Sequence, residues 1–286
     1  FAIAFGGGIY AVPLYAIIQH RAESGHKSQM IAANNILNAL FLVLVSVLSI
    51  IILSVFGWSL QALIALLLGV HLAISLYIFT VVPEFIMRCL VILIVACCYR
   101  LRVRGRDNIP RSGAAIIACN HISYMDALIL MVAIRRPLRF IMYYKIFRIP
   151  VLRYIFKSAR AIPIAGRSED AALFRQSFED VHTALADGDI VAIFPEGELT
   201  RDGEIGVYRR GIEKMLERDP VPVIPVAIDN LWGSLFSHAG GLMKGGPRKW
   251  FARIDVLIGA PLPPETDAET LKEKTLALLA QHKTQP

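Results

Sequence analysis

The chain has 286 residues, 55% of them hydrophobic and only 19% charged, with a formal net charge of +7. An ordinary soluble domain is about one quarter charged, so this is no simple soluble enzyme, and the apolar richness excludes a disordered chain. Four cysteines are too few for a disulfide scaffold.

Charge is unevenly spread. Residues 1–83 carry only Arg21, Glu23 and Lys27. They contain three apolar runs, Phe1–Gln19, Ile36–Phe56 and Leu60–Val82, each close to the roughly 20 residues a bilayer-crossing helix needs. The chain opens at Phe1 inside an apolar run with no basic flank, which is not a signal-peptide pattern and reads as a cut within a larger membrane protein. The loop His20–Lys27 is basic, the turn Gly57–Ser59 is uncharged, and arginines return at 88, 100, 102, 104 and 106. The positive-inside rule then predicts a multi-pass protein of the inner (cytoplasmic) membrane, with everything after Val82 on the cytoplasmic side. Phe85–Cys98 is short for a span and predicts an interfacial or re-entrant helix, followed by a basic linker to about residue 102. Cys89, Cys97, Cys98 and Cys119 have no metal-ligand spacing.

From Asn108 onward, strand-length apolar runs (Ala114–Cys119, Leu138–Met142, Ala161–Ile164, Asp189–Phe194, Val221–Ile228, Trp250–Ile258) alternate with helical patterns. The helices are expected at Met125–Ile134, Pro150–Ser158, Glu169–Ala186, Ile212–Glu217 and Ala268–Gln281. Such alternation predicts an α/β domain, a mixed, largely parallel sheet flanked by helices. The expected organisation is a helical membrane segment over 1–83, a linker over 84–102 and an α/β domain over 103–286. Residues 84–160 carry 14 Lys and Arg against Glu84, Asp107 and Asp126, a field that favours anionic lipid, anionic substrates or an acidic carrier protein. Nucleic acid is a poor fit, because aromatics are not interleaved with the arginines.

Two stretches carry chemistry. The first strand of this series ends in Asn120-His121-Ile122-Ser123-Tyr124-Met125-Asp126. A His just past a strand end lies where α/β sheets place ligands, and a carboxylate five residues on can hold its ring. On a regular helix the two side chains would be about 140° apart. They meet only if His121 precedes a helix whose first turn holds Asp126, and Ser123 with Asp126 reads as the capping box that starts it there. The second stretch is Phe194-Pro195-Glu196-Gly197-Glu198-Leu199-Thr200-Arg201. Its glycine lets backbone approach a ligand, and its Arg can grip phosphate through two donors.

Together these motifs resemble the glycerolipid acyltransferase family, in its lysophosphatidate acyltransferase branch. There Asn-His-x-Ser-x-x-Asp is the first block, and Phe-Pro-Glu-Gly followed by Thr-Arg is the third. Val221–Ala227 is similar to the fourth block, Tyr208-Arg209-Arg210-Gly211 to the step opening the intervening helix, and Lys145 and Pro150 stand where the family has a Lys and a Pro. The resemblance spans about Val103–Pro261. It departs in two places: Glu198-Leu199 is inserted ahead of Thr200-Arg201, and the second block, Arg160–Arg167, lacks an Asp and has its Arg one residue late.

The resemblance implies acyl transfer from a thioester to the free hydroxyl of a lysophospholipid, with His121 as general base and Asp126 fixing its tautomer. Glu196, Gly197, Thr200 and Arg201 would shape the phosphate site, with Lys145, Arg167, Arg209 and Arg210 as further substrate-binding candidates. The implied acceptor is 1-acylglycerol 3-phosphate, with 2-acylglycerophosphoethanolamine as the alternative. No cofactor or metal is implied; acyl-coenzyme A or acyl carrier protein is the donor substrate, and lysophospholipid, membrane lipids and acyl carrier protein are the expected partners. A non-catalytic lipid-binding domain is the rival reading. Residues 1–83 resemble the last three helices of a lysophospholipid transporter of the major facilitator class, which implies a natural fusion.

Overall fold

The computed structural model describes residues 15, 27–81, 83–149, 153, 156–157, 159–234, 236–237 and 251–284. Apart from Tyr15, the predicted span Phe1–Gln19 lies outside them, as does most of the predicted helix Pro150–Ser158. The chain divides into two compact units, Phe1–Ile78 and Phe79–Pro286.

In the first unit, α1 runs Lys27–Ser54 and α2 begins at Leu60; α2 ends at Val81, three residues past the unit boundary. Within them, Ser28–Ser54 (27 residues, mean hydropathy 2.9) and Leu60–Ile78 (19 residues, mean hydropathy 2.0) are long and apolar enough to cross a membrane. α1 starts nine residues before the predicted Ile36. A helix satisfies its own backbone whatever its side chains, so Ser28, Gln29, Asn34 and Asn35 extend it without being apolar. The turn between the helices uses Gly57 at φ 65. Ser59 then caps α2, its hydroxyl accepting the Ala62 N–H at 3.2 Å.

In the second unit, helix α3 (Pro83–Cys98) leads into a seven-stranded sheet. The strands are β1 (Tyr99–Arg104), β2 (Ala115–Cys119), β3 (Leu138–Tyr143), β4 (Ile162–Ile164), β5 (Ile190–Ile193), β6 (Val223–Asp229) and β7 (Ala252–Ile258). Their spatial order is β1-β7-β6-β2-β5-β3-β4. Every neighbouring pair is parallel except β6 and β7. The helices are α4 (Asp126–Ala133), α5 (Ala171–Ala186), α6 (Gly211–Arg218) and α7 (Ala268–Thr284).

The period-2 pleat explains why both faces are covered. Along β2, Ala115, Ile117 and Cys119 face one core layer, with Ile129 and Leu130 of α4 and Val91 and Val95 of α3. Ile116 and Ala118 face the other, with Val181 of α5, Ile212 and Met215 of α6 and Leu271 of α7. All five residues of β2 are therefore buried, as are three of the four in β5. That is why these strands read in sequence as unbroken apolar runs.

One expectation is corrected. Tyr99–Arg102, assigned to a basic linker, belongs to edge strand β1, paired with β7 from Tyr99↔Ala252 to Arg104↔Leu257. Tyr99, Leu101 and Val103 join the core layer while Arg100, Arg102 and Arg104 face outward. The arginines carry no information against a strand; they alternate with the residues that make it.

The corner after β1 turns on Gly105 at φ 75, and a Cβ there would run into the carbonyl oxygen of Ile258. Gly105→Ala is expected to destabilise the protein by at least about 2 kcal/mol, from left-handed strain plus displaced backbone. The check is the chemical-denaturation midpoint of the detergent-solubilised chain.

Candidate active site

The site is built at the carboxyl ends of β2 and β5, the edge where open parallel sheets receive ligands. β2 and β5 are adjacent and parallel, in register from Ala115↔Ile190 to Ala118↔Ile193, so the segments leaving them emerge side by side. Beyond β2, buried Asn120 acts as a substitute rung of the sheet. Its side chain accepts the Ile228 N–H at 2.8 Å and donates to the Ile228 carbonyl at 3.1 Å. This fixes the point at which the chain leaves the sheet, one residue before His121.

His121 and Asp126 meet: Nδ1 lies 2.7 Å from Oδ2. The same carboxylate oxygen accepts the Ile122 N–H at 2.7 Å and the Ser123 N–H at 2.9 Å. The Asp126 side chain is 1% exposed and that of His121 is 23% exposed. Burial pushes the Asp126 carboxyl up, and the hydrogen bonds from His121, Ser123 and Ile122 pull it back. With Nδ1–H committed to the carboxylate, the basic lone pair of the ring resides on Nε2. Phe194 stacks on the imidazole at 4.2 Å between centroids and 16° between planes, fixing the ring plane from the β5 side.

Half of the expected capping box forms. Asp126 reaches back to the Ser123 N–H. The Ser123 hydroxyl instead accepts the Met125 N–H at 3.2 Å and donates to the Phe236 carbonyl at 3.0 Å.

After β5, Phe194–Gly197 makes a tight turn closed by the Gly197 N–H on the Phe194 carbonyl at 3.0 Å. Glu196, 5% exposed, uses both carboxylate oxygens as a brace. Oε1 accepts the His121 N–H at 2.8 Å and Oε2 the Gly206 N–H at 2.8 Å. Burial raises its pKa, against the two backbone donors. Gly197 sits at φ 70, where a Cβ would press on the Arg209 guanidinium, 2.9 Å from Nε. Glycine takes this left-handed turn without strain and leaves room for the guanidinium. The Thr200 N–H donates to the His121 carbonyl at 2.9 Å. Its hydroxyl closes the loop beyond, accepting the Gly203 N–H at 3.0 Å and lying 2.9 Å from Asp202 Oδ1 and 2.8 Å from the Glu204 carbonyl.

Next to the brace lies an open cavity of about 650 Å³, lined by Glu196, Glu198, Arg201, Asp202, Glu204 and Arg209 among others. Arg201 is 86% exposed and 3.7 Å from Glu198; Arg209 reaches the same carboxylate at 3.4 Å.

The structure thus brings His121, Asp126, Glu196, Gly197 and Thr200 to one sheet edge, while Glu196, Thr200, Arg201 and Arg209 line the adjoining cavity, which His121 and Asp126 do not line. Arg210 stands at the start of α6, exposed. Lys145 follows β3, with β5 intervening between β3 and β2, and its Nζ is 2.7 Å from Glu169. Arg167 lies in an exposed turn after β4, the outermost strand. Asn120 and Phe194 were in the motifs without an assigned role; only the sheet register shows the first as a rung and the second as a ring support. Gly206 gives no sequence signal. Among the described residues, no three His, Cys, Asp or Glu side chains are grouped to hold a metal ion.

Comparison with known proteins gives the following similarities. Residues 100–229 match the model of the Acyltransferase family. A 1-acyl-sn-glycerol-3-phosphate acyltransferase of Borreliella burgdorferi is 30% identical over 138 residues, 46% of this chain and 52% of that protein. The chain thus spans about half the length of that relative. A protein of the same name from Bacillus subtilis is 24% identical over 182 residues, 63% of this chain and 83% of that protein. Among solved structures, the 1-acyl-sn-glycerophosphate acyltransferase of Thermotoga maritima aligns with a TM-score of 0.49 at 19% identity, covering 64% of this chain and 71% of that one.

Glu196→Ala strands two backbone donors, at about 1–3 kcal/mol each. A lower melting temperature and faster amide exchange at Gly206 are expected, read by calorimetry and hydrogen-exchange mass spectrometry.

Proposed function

We propose that the second unit transfers an acyl group from a thioester to the free hydroxyl of a lysophospholipid at a membrane surface, with lysophosphatidate as acceptor and phosphatidic acid as product. The observation that carries this is the His121–Asp126 pair at 2.7 Å, set at the carboxyl edge of the sheet and braced from two sides. Lipid-binding modules have no need of a base held in a chosen tautomer.

In this reading Nε2 of His121 takes the proton of the acceptor hydroxyl as its oxygen attacks the thioester carbonyl. A tetrahedral intermediate forms, the carbon–sulfur bond breaks, and the thiolate recovers the proton from the imidazolium. Asp126 stabilises the transient cation. The attacking oxygen belongs to the substrate, so no acyl-enzyme is required. Base catalysis of this kind contributes about 10²–10⁴-fold; holding both substrates at one edge supplies much of the rest. Coenzyme A and acyl carrier protein both remain donors in this proposal. The active unit is assigned to the cytoplasmic face of the inner membrane on the charge asymmetry of the loops. The transporter resemblance of residues 1–83 extends the proposal to lysolipid delivery and acylation in one polypeptide.

A second acceptor has its own support. The cavity beside the brace carries both signs of charge, Arg201 and Arg209 with Glu198, Asp202 and Glu204. Phosphate on the arginines with an ammonium on the acids describes a zwitterionic phosphoethanolamine headgroup.

Both readings are tested by mass-spectrometric acyl-transfer assays on the chain in lipid nanodiscs. His121→Ala is expected to abolish product while leaving the protein folded, and Asp126→Asn to lower kcat by about 10²–10⁴-fold. Product from His121→Ala at the wild-type rate overturns the mechanism, and no product from folded wild type with any substrate pair favours lipid binding alone. For the acceptor, Arg209→Ala and Arg201→Ala are expected to raise the KM of the lysolipid and leave that of the thioester unchanged. Glu198→Gln should reduce the use of lysophosphatidylethanolamine relative to lysophosphatidate if the zwitterionic reading holds, and leave the ratio unchanged otherwise.

A further inference from the structure

Strands β1 and β7 present a row of arginines on one face of the sheet. In their parallel register Arg100 stands beside Arg253, and Arg102 beside Asp255. Arg100, Arg102 and Arg104 are exposed, and the Arg253 side chain is 47% exposed. The acid among them is not at the surface. Asp255 is 2% exposed, and one of its oxygens is shared by Asn230 at 3.2 Å, His282 of α7 at 3.4 Å and Arg253 at 3.6 Å. Like charges directly opposite on neighbouring strands cost stability, so the Arg100–Arg253 pair is kept against its own repulsion. Charge on an edge strand blocks pairing with other chains, which accounts for β1 but not for Arg253, on the second strand.

The pleat decides what the row can meet. Tyr99, Leu101 and Val103 of β1 share a core layer with Val91 and Val95 of α3, so α3 packs on the face opposite the arginines. Leu90, Ile92, Leu93 and Ile94 of α3 are exposed. A membrane that takes up those residues lies on the α3 side of the sheet, and the arginines point away from it, into water.

The row also reaches the catalytic edge. β7 runs antiparallel to β6, so the starts of β7 and β1 lie with the ends of β6 and β2. Cys119 is level with Val226 and Ile258, and Asp255 with Asp229. Arg253 and Arg100 stand two residues further out again, on the side where the chain leaves β2 for His121. Three strand spacings, about 14 Å, separate β1 from β2.

We propose that this face docks a soluble acidic protein, the carrier that presents the acyl thioester, beside the catalytic edge. The proposal rests on the acyl-transfer reading for the partner's identity. Arginine suits such a surface because its planar fork engages a carboxylate through two donors. A protein held here keeps its tethered thioester close to His121 and leaves the α3 side to the lipid acceptor, so the two substrates approach from opposite faces of the sheet.

The test is calorimetric binding of purified holo acyl carrier protein, without an acyl group, to the full chain in phosphatidylcholine nanodiscs. Binding is expected, and it should weaken as salt is raised. Arg100→Glu is expected to weaken it at least about 10-fold while the melting temperature holds or rises, because an opposite-charge cross-strand pair replaces a like-charge one. Arg175→Glu makes the same charge change on an exposed residue of α5, which packs on β4 and β5 at the other end of the sheet, and is expected to leave binding unchanged. No binding by wild type, equal binding by Arg100→Glu, or equal weakening by Arg175→Glu overturns the proposal. Phenylglyoxal, a water-soluble arginine reagent, is expected to modify Arg100 and Arg102 in phosphatidylglycerol nanodiscs when no carrier is present. Protection by that bilayer alone assigns the face to anionic headgroups and also overturns the proposal. Turnover is not read, so failure here is separate from failure of the catalytic reading, which His121→Ala tests.

Discussion

Two backbone N–H groups on one buried carboxylate hold this site together. Both carboxylate oxygens of Glu196 accept main-chain donors, the amides of His121 and Gly206. Those amides belong to the segments that leave the adjacent strands β2 and β5, and the carboxylate ties the two together beyond the end of the sheet. A buried carboxylate is costly unless its oxygens are satisfied, so the two segments must arrive in one arrangement or not at all. His121 is thus placed through its main chain by Glu196 and oriented through its ring by Asp126 and Phe194. The two functions are separated on one residue.

Much of this was legible in the sequence because central strands buried on both faces cannot hide. Ala115–Cys119 and Ile190–Ile193 are apolar throughout since helices cover both sides of them. The His121–Asp126 contact was legible too, once the helix start was placed between them. Residues whose role is set by register were not. Asn120 looks like any loop asparagine until β6 lies beside it. β1 was missed because its outward residues are arginines next to an apolar helix, a pattern that membrane proteins also use at the headgroups. The pleat is present in Arg-Leu-Arg-Val-Arg, but the same arginines also fit a headgroup-facing linker.

Three of the five cations proposed for substrate each face a carboxylate. Lys145 is met by Glu169, and Arg201 and Arg209 by Glu198. Glu198 lies in the same loop as Arg201, three residues before it. Exposed pairs of this kind contribute little to stability. Under the proposed function their effect would fall on selectivity, since an entering anion would compete with a resident one, and a zwitterion could engage both partners at once.

The junction between α3 and β1 has one further consequence. The helix ends at Cys98 and the strand begins at Tyr99, with no connecting residue between them, and the Phe251 N–H holds the Cys98 carbonyl at 3.1 Å. Val91 and Val95 of the helix and Tyr99 of the strand share one core layer. A linker of several residues would absorb a rotation of the helix as torsion. Here none is available, so any tilt of α3 acts as a lever on the sheet's border and is felt as shear along β7.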